Sequence, residues 1–206
     1  MMCSMILSRP ITLADIVHFG LITILAVTVS CSSGRTKDLV LETDLGEIFV
    51  EIYPDKAPLT AGNFLGLVDQ GIYDGACFYR VVRSDNQPYN QVKIEVIQGG
   101  FMEDSLLSRL SPIPHEPTSI TGIRHVDGVI SMARIQPGSA STEFFICIGD
   151  QPSLDFGGNR NPDGQGFAAF GRVTSGMEVV RAIQKMQDSA QYLVEPVLIR
   201  HIRIVR

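Results

Sequence analysis

Leu39-Val-Leu-Glu-Thr-Asp-Leu-Gly-Glu-Ile-Phe-Val-Glu-Ile-Tyr53 holds two β-forming runs joined at Asp44-Leu45-Gly46. In the second run Ile48, Val50 and Ile52 alternate with Glu47, Phe49 and Glu51, the period of a strand with one buried face. The pair predicts a hairpin that opens a domain. Pro54 and Pro58 stop the second strand, and Phe64, Leu67 and Val68 then fall at i, i+3 and i+4 between Thr60 and Gln70. That spacing predicts a helix of about three turns ending at Gly71.

Short apolar runs continue to the end of the chain. Cys77-Phe-Tyr-Arg-Val-Val82, Ile94 to Gln98 closed by Gly99-Gly100, Val129 to Ala133, Phe144 to Ile148, Phe167 to Val173 and Val197 to Val205 all read as strands. Met177, Val180, Ile183 and Met186 share one face of a second helix. Many short strands with only two helices predict a mainly β fold, a closed antiparallel barrel capped by helices. The 19 Gly and 11 Pro suit the turns such a barrel needs, and 206 residues suffice for one core.

A net charge of -5, with no run of Lys or Arg, excludes general attraction to phosphate backbones, so no nucleic acid is expected as a partner. Ile16 to Ser30 is an apolar run of signal-peptide length, preceded by Arg9 and ended by Thr28-Val-Ser-Cys31. The ending resembles a lipobox with Thr28 in place of the usual leucine, so Cys31 is the candidate lipidation site. An ordinary cleaved signal or an uncleaved anchor is the alternative. The expected organisation is a signal peptide over 1–30, a lipid-anchored tether over 31–37 and a globular domain over 38–206. This predicts an exported protein of the periplasm or cell envelope, held to a membrane through its N-terminus. Within the domain Cys77 and Cys147 remain, either as free thiols acting as small hydrophobes or as one internal bridge.

Asp38 to Tyr53, Pro58 with Thr60-Ala-Gly-Asn-Phe64, Cys77 to Val82, Gln98-Gly-Gly100, Gly128-Val-Ile-Ser-Met-Ala133, Ser141-Thr-Glu-Phe-Phe-Ile146, Leu154-Asp155 and Phe170-Gly-Arg-Val173 stand in the order and rough spacing of one family. Across Leu39 to Arg206 the chain resembles the cyclophilin-type peptidyl-prolyl cis-trans isomerases. The resemblance implies an eight-stranded antiparallel barrel capped by two helices, with a proline-binding groove on its outer face. It also implies isomerisation of X-Pro bonds in proline-containing peptides and unfolded exported proteins, by a monomer, with no cofactor and no metal.

Residue by residue, the resemblance gives Arg80 the place of the catalytic arginine and Gln98 that of the glutamine that orients it. Val96, Met132, Ala133, Arg134, Glu143, Phe145, Leu154 and Phe167 become the substrate-binding set, with Ala133 and Arg134 on the edge strand whose backbone pairs with substrate. Five positions depart from the pattern. Glu95 and Val96 replace an aromatic and a methionine, Glu143 replaces a glutamine, Ser153 stands at a common tryptophan, and Phe167 stands at a common histidine. The segment from Ser84 to Ile94 is longer than in compact members, so Tyr89 or Ile94 is expected to refill the pocket wall, and Glu143 to pair with Arg80 or Arg134. Weak sensitivity to cyclosporin is expected, because family binding leans on the missing tryptophan. The rival reading is a proline-peptide binding module or holdase with little turnover.

Other signals are weaker. Gly164-Gln-Gly166-Phe-Ala-Ala169 fits a dinucleotide fingerprint, but a strand-like run and not a helix follows it. Asn159 to Gly164 resembles half a calcium loop, with Phe170 where a bidentate Glu is needed, and supports a third reading as a calcium-braced structural lipoprotein. His115, His125 and His201 lack metal-ligand spacing.

Overall fold

The structure, a computed structural model, describes residues 36–101 and 110–205. The leader, Cys31 and nearly all of the tether therefore lie outside the described residues. The opening hairpin forms as β1 (Lys37–Thr43) and β2 (Gly46–Ile52), with Lys37, assigned above to the tether, as its first strand residue. The chain continues through α1 (Pro58–Asp69), β3 (Cys77–Val82), β4 (Val96–Gly100), α2 (Thr118–Thr121), β5 (Val129–Met132) and β6 (Phe144–Cys147). It ends through β7 (Ala168–Ser175), α3 (Met177–Gln184), β8 (Asp188–Ser189) and β9 (Tyr192–Ile204).

Strand order β1-β2-β7-β5-β6-β4-β3-β9, with β9 pairing back onto β1, closes an eight-stranded barrel in which every pairing is antiparallel. Closure removes the free edges that would otherwise expose unpaired N–H and C=O groups. β8 is a two-residue appendage to β9. α1 packs against β7 and β9, and α3 against β2, β3 and β4. α2 is a single turn beyond the two helices read from the sequence, too short to show a periodic pattern. The buried carboxylate of Glu116 accepts from the N–H groups of Leu59 and Thr60 at 3.2 and 2.6 Å, satisfying the first turn of α1.

Period-two alternation sorts side chains between two apolar clusters. Phe144 and Ile146 of β6 point into the barrel with Phe64, Phe78 and Phe170, while Phe145 and Cys147 join Val82, Ile94, Val96 and Leu154 in a smaller cluster. This second cluster, on the outer face of the barrel, is the floor of the groove described below. Cys147 is buried within it, and both Cys147 and the half-buried Cys77 are free thiols.

β3 breaks the alternation. Phe78 pairs with Gly99 but Arg80 pairs with Gln98, so Tyr79 is an extra residue, a β-bulge. Phe78 and Val81 both point inward, three positions apart, which leaves Tyr79 and Arg80 both available to the outer face. The expected strand Ile94–Gln98 is also displaced, to Val96–Gly100. Ile94 is held instead by the side chain of Gln87, which donates to the Ile94 carbonyl at 2.8 Å.

Candidate active site

One open groove of about 760 Å³ collects most of the predicted site. Arg80 and Gln98 line it, as do Val96, Ala133, Arg134, Glu143, Phe145, Leu154 and Phe167. Met132 does not. It is fully buried in the barrel interior, because it pairs across the sheet with the inward-facing Phe144, while its neighbours Ser131 and Ala133 take the outer side. Ile94 supplies the refilled wall, and Tyr89 is 97% exposed and takes no part. Glu95 lies out of the groove, where its carboxylate accepts from the Ser84 hydroxyl at 2.7 Å.

Arg80 is held by three donations. Its Nε and Nη2 reach Gln191 Oε1 at 3.1 and 2.6 Å, and its Nη1 reaches Gln98 Oε1 at 2.9 Å. With both acceptors neutral amides, the guanidinium is oriented without its charge being cancelled. The Gln98 amide is oriented in turn, since its Nε2 donates to the Tyr79 hydroxyl at 2.7 Å. The Tyr79 hydroxyl in turn donates a short hydrogen bond to Glu143, which also accepts from the Phe101 N–H at 2.7 Å.

Glu143 therefore pairs with neither Arg80 nor Arg134, contrary to the sequence expectation. The bulge at Tyr79 places a phenol between the carboxylate and the arginine, and the backbone of Phe101 supplies a second donor. Burial pushes the Glu143 carboxyl above its usual range, opposed by the donors around it. Burial and the charge of Glu143 together raise Tyr79 far above the ordinary phenol value. Gly100 permits this arrangement: it adopts φ +142°, and a Cβ there would lie 2.2 Å from Glu143 Oε1.

Arg134 is also committed. It grips Asp163 with two parallel bonds of 2.8 and 2.9 Å, donates to the Gly166 carbonyl and stacks 5.1 Å over the Phe167 ring. In the loop over 159–164 the Asp163 carboxylate thus already serves a guanidinium. Among the described residues no group of three or more His, Cys, Asp or Glu side chains could hold a metal ion.

Phe145 is braced from behind. Phe167 meets it edge-on at 5.3 Å and His125 stacks against it at 6.0 Å. His125 is itself fixed, Nδ1 lying 2.8 Å from Asp155 Oδ1 and Nε2 3.0 Å from Ser131 Oγ. The residue types are those of a hydrolase triad, but Ser131 is fully buried within β5 and has no access to a substrate. The set serves as a rigid polar support beneath the groove floor. Gln191 and Tyr79 escaped the sequence reading. Gln191 lies 111 positions from Arg80, in the turn between β8 and β9, where no local signal marks it.

The family model described as "Cyclophilin type peptidyl-prolyl cis-trans isomerase/CLD" matches residues 39–204. Over 172 residues the chain is 36% identical to the peptidyl-prolyl cis-trans isomerase cyp18 of Streptomyces antibioticus, covering 80% of this chain and 96% of the relative. It is 32% identical over 147 residues to peptidyl-prolyl cis-trans isomerase B of Escherichia coli, covering 71% and 83% respectively. A crystal structure of a cyclophilin type isomerase of Cryptosporidium parvum superposes with a TM-score of 0.65 at 18% identity, over 84% of this chain and 99% of that one. A second structure of that protein, determined in the presence of the dipeptide Ala-Pro, gives a TM-score of 0.63 at 19% identity, over 82% and 99% of the two chains.

Proposed function

The chain belongs to the cyclophilin-type peptidyl-prolyl cis-trans isomerases and catalyses rotation about X-Pro peptide bonds, and from that premise we propose that Arg80 is the group that grips the bond as it turns. Rotation faces a barrier of about 18–20 kcal/mol because resonance gives the C–N bond partial double character. No bond breaks, so the reaction calls for no nucleophile and no general base. The enzyme has to hold the proline ring while the rest of the peptide turns, and to favour the twisted imide in which the nitrogen becomes pyramidal and carbonyl charge redistributes.

Ile94, Val96, Phe145, Leu154 and Phe167 form the slot for the ring, and the backbone at Ala133 and Arg134 lays out the residues before it. Arg80 then donates to the imide. The observation that carries this reading is the fixing of that guanidinium, by Gln98 and Gln191, in the wall of an apolar slot. A donor already in place needs little reorganisation when the charge develops. An acceleration of about 10⁵-fold would ask the site for roughly 7 kcal/mol of preferential transition-state binding.

The test compares wild type with Arg80→Ala in a protease-coupled assay on an X-Pro peptide. A fall in kcat/KM of about one to three powers of ten is expected from losing one preorganised donor. Equal activity in the two proteins would remove Arg80 from the mechanism.

The working place proposed is the periplasm or cell envelope, with the domain tethered as a monomer and acting on unfolded exported proteins. Spontaneous prolyl isomerisation takes tens to hundreds of seconds and can limit folding there. The apolar run from Ile16 to Ser30, ended by Cys31, supports this location. Radiolabelled lipid should enter the wild-type protein and not Cys31→Ser; equal labelling of both would rule the anchor out.

A further inference from the structure

Arg160 lines the same groove, and nothing in the mechanism above uses it. Its backbone N–H is held by the Ser153 carbonyl at 3.1 Å, and its Nη1 donates to Gln87 Oε1 at 3.0 Å and to the Val92 carbonyl at 2.6 Å. The head group is thereby braced against the long segment between β3 and β4. Among the described residues its Nε and Nη2 have no acceptor, and since no buried side-chain nitrogen or oxygen is left without a partner, both keep some access to solvent.

The other charges facing the groove are accounted for. Arg134 is neutralised by Asp163, and Glu143 is occupied by Tyr79 and the Phe101 N–H. Neither Arg80 nor Arg160 meets a carboxylate of the described residues within ion-pair distance. Burial depresses the pKa of Arg160, and the nearby like charge of Arg80 adds a repulsion in the same direction. Among the described residues the groove thus carries two guanidiniums without a carboxylate partner, one of them with donors to spare. An anion entering with the substrate would relieve that repulsion and satisfy the spare donors.

We propose that Arg160 is a specificity-determining residue that selects X-Pro segments carrying an aspartate or glutamate on a residue adjoining the proline. The proposal rests on the isomerase reading of this groove and adds its substrate class. The carboxylate meets Arg160 Nε and Nη2 while Arg80 remains on the imide.

The experiment follows cis-trans exchange by NMR in the peptides Ala-Ala-Pro-Glu-Ala and Ala-Glu-Pro-Ala-Ala and in their Gln counterparts, using the full chain at pH 7 and low salt. Binding is read from the same spectra. In at least one of the two positions the Glu peptide should be turned over about five-fold faster than its Gln partner, the scale of one half-exposed charge pair, and high salt should shrink the ratio. In Arg160→Gln the ratio should fall to about one, and Arg160→Lys should keep part of it, since charge survives and the fork does not. A wild-type ratio of one or less at both positions overturns the proposal, as does an undiminished ratio in Arg160→Gln. Should that variant fail to fold, lowering the pH through the peptide carboxylate's range, near about 4.3, decides the matter in the wild type. A ratio that stays constant as the peptide loses its charge overturns the proposal. Failure of the wild type on every Gln peptide would be a failure of the isomerase reading instead.

Discussion

Replacing Gln191 by alanine should cost the enzyme about ten-fold in kcat/KM without removing any group that touches substrate. Gln191 accepts two of the three hydrogen bonds that fix Arg80, at 3.1 and 2.6 Å, and leaves only the 2.9 Å bond to Gln98 when truncated. A hydrogen bond to a charged group contributes roughly 1.5–3 kcal/mol net. The guanidinium is only partly buried, so water replaces much of that energy but not the orientation. A loss of about 1.4 kcal/mol of transition-state stabilisation corresponds to the ten-fold figure. The assay is the X-Pro coupled measurement, run on wild type, Gln191→Ala, Arg80→Ala and the double variant. The fall should lie mainly in kcat, because orientation matters most once the imide has twisted. In the Arg80→Ala background, deleting Gln191 should change the rate by less than about two-fold, the non-additivity expected of groups acting as one unit. Gln191→Gly is the control for backbone effects. Gln191 sits at φ 76°, a conformation glycine adopts freely, so this variant should lose activity as the alanine variant does without the same loss of stability. A ten-fold fall that persists in the absence of Arg80 would refute the positioning role.

Ser131→Ala should lower stability by about 1–3 kcal/mol, because it leaves His125 Nε2 buried without its partner at 3.0 Å. Thermal unfolding reads this as a drop of several degrees, and an unchanged midpoint would contradict the bracing role given to the His125 set. Gly100→Ala should cost about 2–4 kcal/mol, since the new Cβ meets the Glu143 carboxylate at 2.2 Å on a backbone with φ +142°. Urea unfolding tests it, and wild-type stability would show that Glu143 moves aside freely. Asp188 is one contributor to the acid limb. Burial alone would raise its pKa, but donation from Arg83, Asn86 and the Gln191 N–H lowers it below the ordinary range. A depressed carboxyl contributes stability that is present above its unfolded value, near about 3.9, and is lost as pH falls through the folded one. Asp188→Asn should be less stable than wild type at pH 7, and the gap should close below about pH 3; a gap constant from pH 7 to 2.5 would sink the assignment.

Most of the barrel was legible because its cues are local. Alternation in Gly46–Ile52, the i, i+3, i+4 spacing of Phe64, Leu67 and Val68, and glycines at the turns each act within a few residues, and β1, β2, α1 and β3 form where those cues lie. The resemblance brought most of the groove residues to light in the same way, as short ordered motifs. Met132 was misplaced because the methionine lies between Ser131 and Ala133, and only its pairing with Phe144 shows that its side of β5 faces the interior.

The sequence alone therefore determined roughly where most of the strands fall, that they close into a barrel, and which short motifs mark the groove. Tertiary structure decided how the groove is wired. Strict alternation from Phe78 would have sent Arg80 inside the barrel, and only the bulge at Tyr79, formed by pairing with β4, turns it outward. Its partner Gln191 arrives from 111 positions away, and Arg160 is braced by Gln87 and Val92 from a different loop. Each of these contacts joins parts of the chain that local propensity cannot relate, because chain closure and strand register alone bring them together.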